Sequence, residues 1–274
     1  MWSSGNVSGQ YIQLIKVMPS ASESTSVSSF QNQLKAVDGL IETARSCNHR
    51  RALVLAGSRD WCLDTAERLL AATGLSSVHW FSDRAPACVS SSQGAAALRL
   101  LGTELDALVF DAWSGFDPDA FGALSGSIKG GGLLLLLTPL FDQWPDYADP
   151  QNERITVAPY AADRLSGRFL QRLVQVLVSD PDVMMFQQGG ISKTVHTGTC
   201  HAVAEGQIEA PCKTPDQQRA VEAVMKVVTG HRRRPVVLTS DRGRGKSAAF
   251  GIAAAKLINS GRERILLTAP QPQS

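Results

Sequence analysis

The sequence predicts an α/β protein built on a parallel sheet, and three observations predict it. Its short apolar runs, such as Ala52-Leu-Val-Leu-Ala56 and Leu133 to Leu137, are continuous rather than alternating, which is the pattern of strands covered on both faces. These runs alternate with helical stretches of about ten residues, the order that lays successive strands side by side in one direction. At 274 residues and 43% hydrophobic content, the chain also has the apolar material for a sizeable core.

The elements follow in order. Leu34, Val37, Leu40, Ile41 and Ala44 recur at spacings of three and four and predict a helix, followed by the basic turn Asn48-His49-Arg50-Arg51. Ala52–Ala56 reads as a buried strand ended by Gly57-Ser58, and Trp61 to Ala72 as an amphipathic helix closed by Gly74. Val78–Phe81 is a second strand, Gly94 to Leu101 a helix, and Ala107–Phe110 a third strand ending at Asp111. Pro118 and Asp119 open a helix that Gly130-Gly131-Gly132 stops, and Leu133–Leu137 makes a fourth strand. Residues 141–160, rich in Pro and Asp, read as a long surface connection, and Leu165 to Val178 returns to helical spacing. Together these predict a Rossmann-like domain over residues 30–186, after a frayed extension at 1–29 and before a linker at 187–212.

The composition excludes several classes. A formal net charge of +2 gives the whole chain no electrostatic case for a nucleic-acid or membrane surface; His231-Arg232-Arg233-Arg234 is the one candidate for a local basic footprint and reads as a solvated loop, with contact to phosphates as the alternative. The extension lacks an apolar core and a basic leader, so no signal peptide is expected, and no apolar run is long enough to span a bilayer. Five scattered cysteines show no zinc spacing, Cys200-His201 being adjacent residues that do not converge on one ion, and a reducing, cytoplasmic compartment is expected. In the first domain the turn Gly57-Ser58-Arg59-Asp60 lacks the G-x-G-x-x-G spacing for a pyrophosphate. A scaffold or docking role is expected there, with Asp111 as a cap or turn residue rather than a catalyst.

Residues 213–274 carry the chemistry. The apolar run Val236-Val237-Leu238-Thr239 leads into Ser240-Asp241-Arg242-Gly243-Arg244-Gly245-Lys246-Ser247, and Ala248 to Ile258 continues as a helix. That is the strand, loop and helix order of a P-loop nucleoside-triphosphate site. Gly243 and Gly245 let successive N–H groups turn toward phosphate oxygens, Lys246 reaches the β- and γ-phosphates, and the Ser247 hydroxyl ligates Mg²⁺. The pattern departs from G-x-x-x-x-G-K-[ST] only at its first place, where Ser240 stands. Upstream, Thr214-Pro215-Asp216-Gln217 is a capped helix start, and Gln217 resembles the glutamine that reads the adenine edge in superfamily 1 and 2 helicases.

These segments in this order resemble the N-terminal part of the bacterial tRNA(Met) cytidine acetyltransferases. The resemblance runs from about residue 35 to 274 and rests on Arg51–Gly57 with Trp61-Cys62, Ala107–Ala112, Gly115-Phe116-Asp117, Ala120–Gly126, Leu133–Pro139 with Trp144, Arg242–Ala248 and Leu267–Pro270. It implies a cytoplasmic enzyme that acetylates N4 of the wobble cytidine of elongator tRNA(Met), using acetyl-CoA and ATP or GTP hydrolysis. It implies nucleotide contacts at Gln217, Gly243, Arg244, Gly245, Lys246, Ser247, Ala248, Ala249, Phe250, Gly251 and Ile252. It further implies that the Mg²⁺-positioning acid, the charge-stabilising arginine and the acetyl-CoA site lie beyond Ser274. The chain is then expected to hold no catalytic residue of its own and to carry an incomplete, poorly ordered P-loop unit. Two other readings stand beside it: an RNA helicase or ATPase without acetyltransferase activity, and a non-catalytic interaction module.

Overall fold

Six parallel strands form one sheet in the computed structural model of the chain, which describes residues 21–190, 193–195, 209–230, 235–240 and 245–268. They are β1 (Arg51–Ala56), β2 (Val78–Phe81), β3 (Ser90–Ser92), β4 (Leu105–Asp111), β5 (Ile128–Thr138) and β6 (Val183–Gln187), in the spatial order β3-β2-β4-β5-β1-β6. The α/β class expected from the continuous apolar runs is the class observed. From Ala52 to Ala56 each residue of β1 faces a partner on either side, Leu53 opposite Leu135 of β5 and Met184 of β6.

Side-chain alternation sends the two halves of each strand to different layers. Leu53, Leu55, Val109, Leu135 and Leu137 pack under α1 (Ala21–Ser46) and α2 (Arg59–Thr73), against Val37, Leu40, Ile41, Ala66 and Leu69. Val54, Leu108, Phe110 and Leu136 pack on the opposite face under α3 (Pro118–Ser125) and α5 (Arg168–Ser179), with α4 (Asn152–Ile155) a single turn between those two helices. Phe110 is the centre of that second layer, stacked on Phe81 at 4.9 Å and edge-on to Phe121 at 5.2 Å. The N-termini of the helices follow their sequence signals: Asp117 caps α3 through Asp119 and Ala120, with Pro118 in its first turn.

Several expectations change on meeting the structure. Helix α1 begins at Ala21, inside the stretch expected to be a frayed extension; residues 1–20 lie outside the described residues. The Gly130–Gly132 run does not end an element but belongs to β5, which starts at Ile128. A side chain at Gly130 would fall 2.1 Å from Asn48 Oδ1, and Gly131 at φ +83° donates its N–H to His49, so these glycines let the turn after α1 close onto the sheet. The helix expected over Gly94–Leu101 is a 3₁₀ stretch, Gly94–Leu100. The 141–160 connection is anchored rather than lying free on the surface. Trp144 is fully buried, and Asp149 accepts hydrogen bonds from Phe116 N at 2.9 Å and Gln151 N at 2.7 Å. The span expected as a linker from 187 begins inside β6, and Lys193 folds back to pair with Met185 in an antiparallel bridge.

Two further helices, α6 (Pro215–Thr229) and α7 (Lys246–Asn259), pack together over Val221, Ala249, Ala253 and Cys212. The strand expected over Val236–Thr239 is not formed: residues 235–240 have no ladder partner among the described residues, and Val237 is 83% exposed. A strand is held by the hydrogen bonds its N–H and C=O groups make to a neighbouring strand, and this run has none among the described residues. Cys62, Cys88 and Cys212 are free thiols, whereas Cys47 is disulfide-bonded, which departs from the all-thiol expectation. Among the described residues no helix is long and apolar enough to cross a membrane, and no cluster of metal-ligating side chains occurs.

Candidate functional site

The start of α7 is the place to which the sequence motif points. Gly245 precedes it with φ +78°, a left-handed conformation that a glycine adopts without steric cost, and Lys246 and Ser247 open its first turn. Gly243 and Arg244 lie outside the described residues. Lys246 Nζ donates to the carbonyl of Ser240 at 2.6 Å and approaches its hydroxyl at 3.2 Å, so the residue occupying the motif's first place holds the lysine. Ser247 and Ala248 are exposed at the helix start, where unpaired N–H groups and the helix dipole favour an anion. Ala249 is buried against α6, Ile252 packs beside it, and Phe250 and Gly251 face solvent.

Gln217 comes to the same place from the other helix. The Thr214 hydroxyl accepts from Gln217 N at 3.1 Å, as the cap signal predicts, and Pro215 stands in the first turn. The side chain is then turned inward and is only 8% exposed; its Oε1 accepts from Lys213 N at 2.7 Å. Its Nε2 lies 3.0 Å from the position a Cβ would take on Gly245, so the glutamine amide packs directly on the glycine of the loop. Two signals about thirty residues apart in sequence thus meet through the packing of α6 on α7.

A second constellation, of which the sequence singled out Asp111 and the turn holding Arg59, sits at the carboxyl ends of β1, β2 and β4. Asp111 is fully buried; its Oδ2 accepts from Arg59 Nη2 at 2.8 Å, Ser82 Oγ at 2.6 Å and Ser114 Oγ at 3.0 Å, and its Oδ1 accepts from Trp113 N at 3.0 Å. Arg59 also pairs with Asp83; against some burial, the Ser114 hydroxyl donating at 2.7 Å and then Arg59 hold the Asp83 carboxyl below its ordinary range. The same guanidinium, buried in part and flanked by two carboxylates, is held more firmly charged than a free arginine. In an open α/β sheet ligands bind at this end of the strands. Here the arginine and its two carboxylates occupy it as an ion-paired group, with Arg59 Nε buried and without a hydrogen-bond partner among the described residues, and the pairing is that of a structural clasp. A sequence signal for it existed in Arg59, Asp83 and Asp111, each at or just beyond the end of a strand.

A parallel-sheet domain followed by a helix pair that brings a loop lysine and a glutamine together defines a class: a Rossmann-like module joined to the start of a helicase-like unit. Residues 26–188 match the family described as tRNA(Met) cytidine acetyltransferase TmcA, N-terminal, and residues 237–274 match the RNA cytidine acetyltransferase NAT10/TcmA helicase domain. The chain belongs to the tRNA(Met) cytidine acetyltransferase family. It is 51% identical over 245 residues to tRNA(Met) cytidine acetyltransferase TmcA of Nitrosococcus halophilus, covering 88% of this chain and 33% of that protein. The protein of the same name from Haloarcula marismortui is 35% identical over 84% of this chain and 32% of its own length, and that of Yersinia pestis 34% over 74% and 28%. The chain therefore spans about a third of the length of the curated relatives it matches.

Proposed function

We propose that this chain is the N-terminal portion of an enzyme that acetylates N4 of the wobble cytidine of elongator tRNA(Met) in the cytoplasm, with acetyl-CoA as donor and ATP or GTP hydrolysis. Its own share is the sheet domain and the first part of a nucleotide site from residue 213 onward. The observation that carries this reading is the seating of Gln217 on Gly245, beside Lys246. An amide placed there serves the base of a nucleotide while the loop serves its phosphates.

Within the site, Gly243, Arg244 and Gly245 would present backbone N–H groups, and Lys246 would leave Ser240 for the terminal phosphates. The exposed Ala248, Phe250 and Gly251 would continue the contact surface along the first turns of α7, and Ala249 and Ile252, packed on α6, would support it from below. Ser247 fits a Mg²⁺ role because its hydroxyl is exposed beside the open helix start; when bound, the ion would neutralise phosphate charge. Nucleotide turnover in the whole enzyme would serve to draw the cytidine out of its stack, a step that chemistry on an exocyclic amine requires.

The test is nucleoside mass spectrometry of tRNA from the source organism with the parent gene intact and disrupted. Loss of N4-acetylcytidine, restored by the full-length gene but not by residues 1–274, supports the reading. An unchanged level would sink it and leave an ATPase or an interaction module.

A further inference from the structure

The surface formed by α4, the 3₁₀ turn Ala162–Arg164 and the start of α5 is unlike the rest of the sheet domain. Between Asp163 and Asp180 the chain has three arginines, Arg164, Arg168 and Arg172, and no carboxylate. All three are exposed, and none has an ion-pair partner among the described residues, whereas nearby Arg154 is held by Asp117 at 2.9 Å. On α5 the side toward the core is Leu170, Leu173, Val174 and Leu177. Arg168, Arg172 and Gln175, spaced by four and three, lie on the side opposite.

Aromatic rings accompany this charge. Phe169 is 55% exposed yet fixed from below by Phe116, with ring centres 5.8 Å apart, and Tyr160 is 72% exposed just before the 3₁₀ turn. Phe116 is followed by Asp117, which holds Arg154 in α4, so the seat of the Phe169 ring and α4 are tied together through adjacent residues. Exposed rings beside unpaired guanidinium groups are what a strand of nucleic acid uses: the rings stack on unpaired bases while the arginines meet phosphates. Helix α5 also starts at Arg168 with no side-chain cap, so its positive end adds to the same field.

We infer that this face, centred on Arg164, Arg168, Arg172, Tyr160 and Phe169, binds RNA through phosphate contacts and base stacking. The exposed charge and rings indicate a nucleic-acid strand; the choice of RNA over DNA rests on the proposed function. The near-neutral total charge of the chain does not oppose it, because the three arginines are concentrated on one helix face and its approach.

The test measures binding of the intact chain to a fluorescein-labelled RNA stem-loop of the methionine anticodon arm by anisotropy across a salt series, with mant-ATP binding and circular dichroism on every variant. R168E/R172E should weaken RNA binding about tenfold or more at about 0.1 M salt and flatten the salt dependence by about one to two counterions. Y160A, at a site open to solvent, should weaken it about fivefold or more by loss of stacking while leaving the melting curve and the salt slope unchanged. R99E/R262E makes the same change of charge at exposed arginines elsewhere and should stay within about twofold of the unmodified chain. An R168E/R172E chain that binds like the unmodified one, or a control that weakens equally, would overturn the inference. So would an unmodified chain that does not bind the RNA, which would leave the exposed Ile155, Val157 and Leu165 as a protein contact. The two readings fail separately: Lys246→Ala should abolish mant-ATP binding and spare RNA binding, and RNA binding without nucleotide binding would refute the nucleotide site alone.

Discussion

Asp111 decides whether the carboxyl ends of the strands form a clasp or an active site, and Asp111→Ala is the perturbation that separates the two. The carboxylate is fully buried and receives four hydrogen bonds, one of them from Arg59, whose side chain is 20% exposed. Removing one partner of a buried ion pair costs about 3–5 kcal/mol because the other charge is left behind. Arg59 keeps Asp83 and some access to water, which places the expected loss near the lower limit, about 3 kcal/mol. For a domain of this size that corresponds to a fall in melting temperature of about 6–12 °C. Asp111→Asn keeps an acceptor oxygen and should lose less, about 1–2 kcal/mol, as a charge-assisted bond becomes a neutral one. Urea unfolding followed by tryptophan emission is the assay, since Trp61, Trp80, Trp113 and Trp144 all lie in the sheet domain. A loss below about 1 kcal/mol for Asp111→Ala, against the buried-pair cost, would refute the clasp. A folded variant with impaired RNA modification in the full-length enzyme would instead make Asp111 a functional carboxylate.

Three other outcomes are expected. Gly245→Ala forces a left-handed residue costing about 1–2 kcal/mol and sets a methyl against Gln217, so mant-ATP affinity should fall about tenfold with the melting of the sheet domain unchanged. Burial holds the His79 imidazole below its ordinary value of 6.5, where its ring nitrogens meet Ser90 Oγ at 2.7 Å and Ser92 Oγ at 2.8 Å. The unfolded chain then takes up the proton first, so this contribution to stability is complete above 6.5 and is lost as the pH falls below it toward the folded value. The urea midpoint should drop more between about pH 7.5 and about pH 5.5 in the unmodified chain than in His79→Gln; equal drops would contradict this. Burial pushes the Cys62 thiol up to about 12, while Cys88 is exposed. Brief alkylation of the native protein, read by peptide mass spectrometry, should therefore mark Cys88 and spare Cys62, and equal labelling would show that the core opens readily.

The sheet was legible wherever a strand is apolar on both faces, as in Leu53–Leu55, Val109–Phe110 and Leu133–Leu137. Strand β3, made only of serines, carries no such signal; it pairs with β2, where His79 bonds the side chains of Ser90 and Ser92. Strand β6 was readable in Val183-Met-Met-Phe186 but lies against the end of a helix, where a short apolar run blends into the helical pattern. The 141–160 segment looked like a surface loop by its prolines and aspartates; its anchors are Trp144 and Asp149, whose shared partner Phe116, distant in sequence, no local pattern reveals. At the candidate site the cap Thr214 and the pair Gly245-Lys246 were legible. The inward turn of Gln217 was not, because it depends on α6 meeting α7.

The lateral borders of the sheet have a consequence for handling the protein. A parallel sheet left open on both sides offers rows of free backbone groups on which other copies can grow. One border here is only three serines long, and the other is latched where Met185 and Lys193 exchange both backbone hydrogen bonds, at 2.9 and 2.8 Å. Self-association by strand addition is thereby limited at each side. A version of the sheet domain ended at Gly190 would discard the lysine latch and expose the outer strand, so residues 193–195 belong with any truncation meant to stay monomeric.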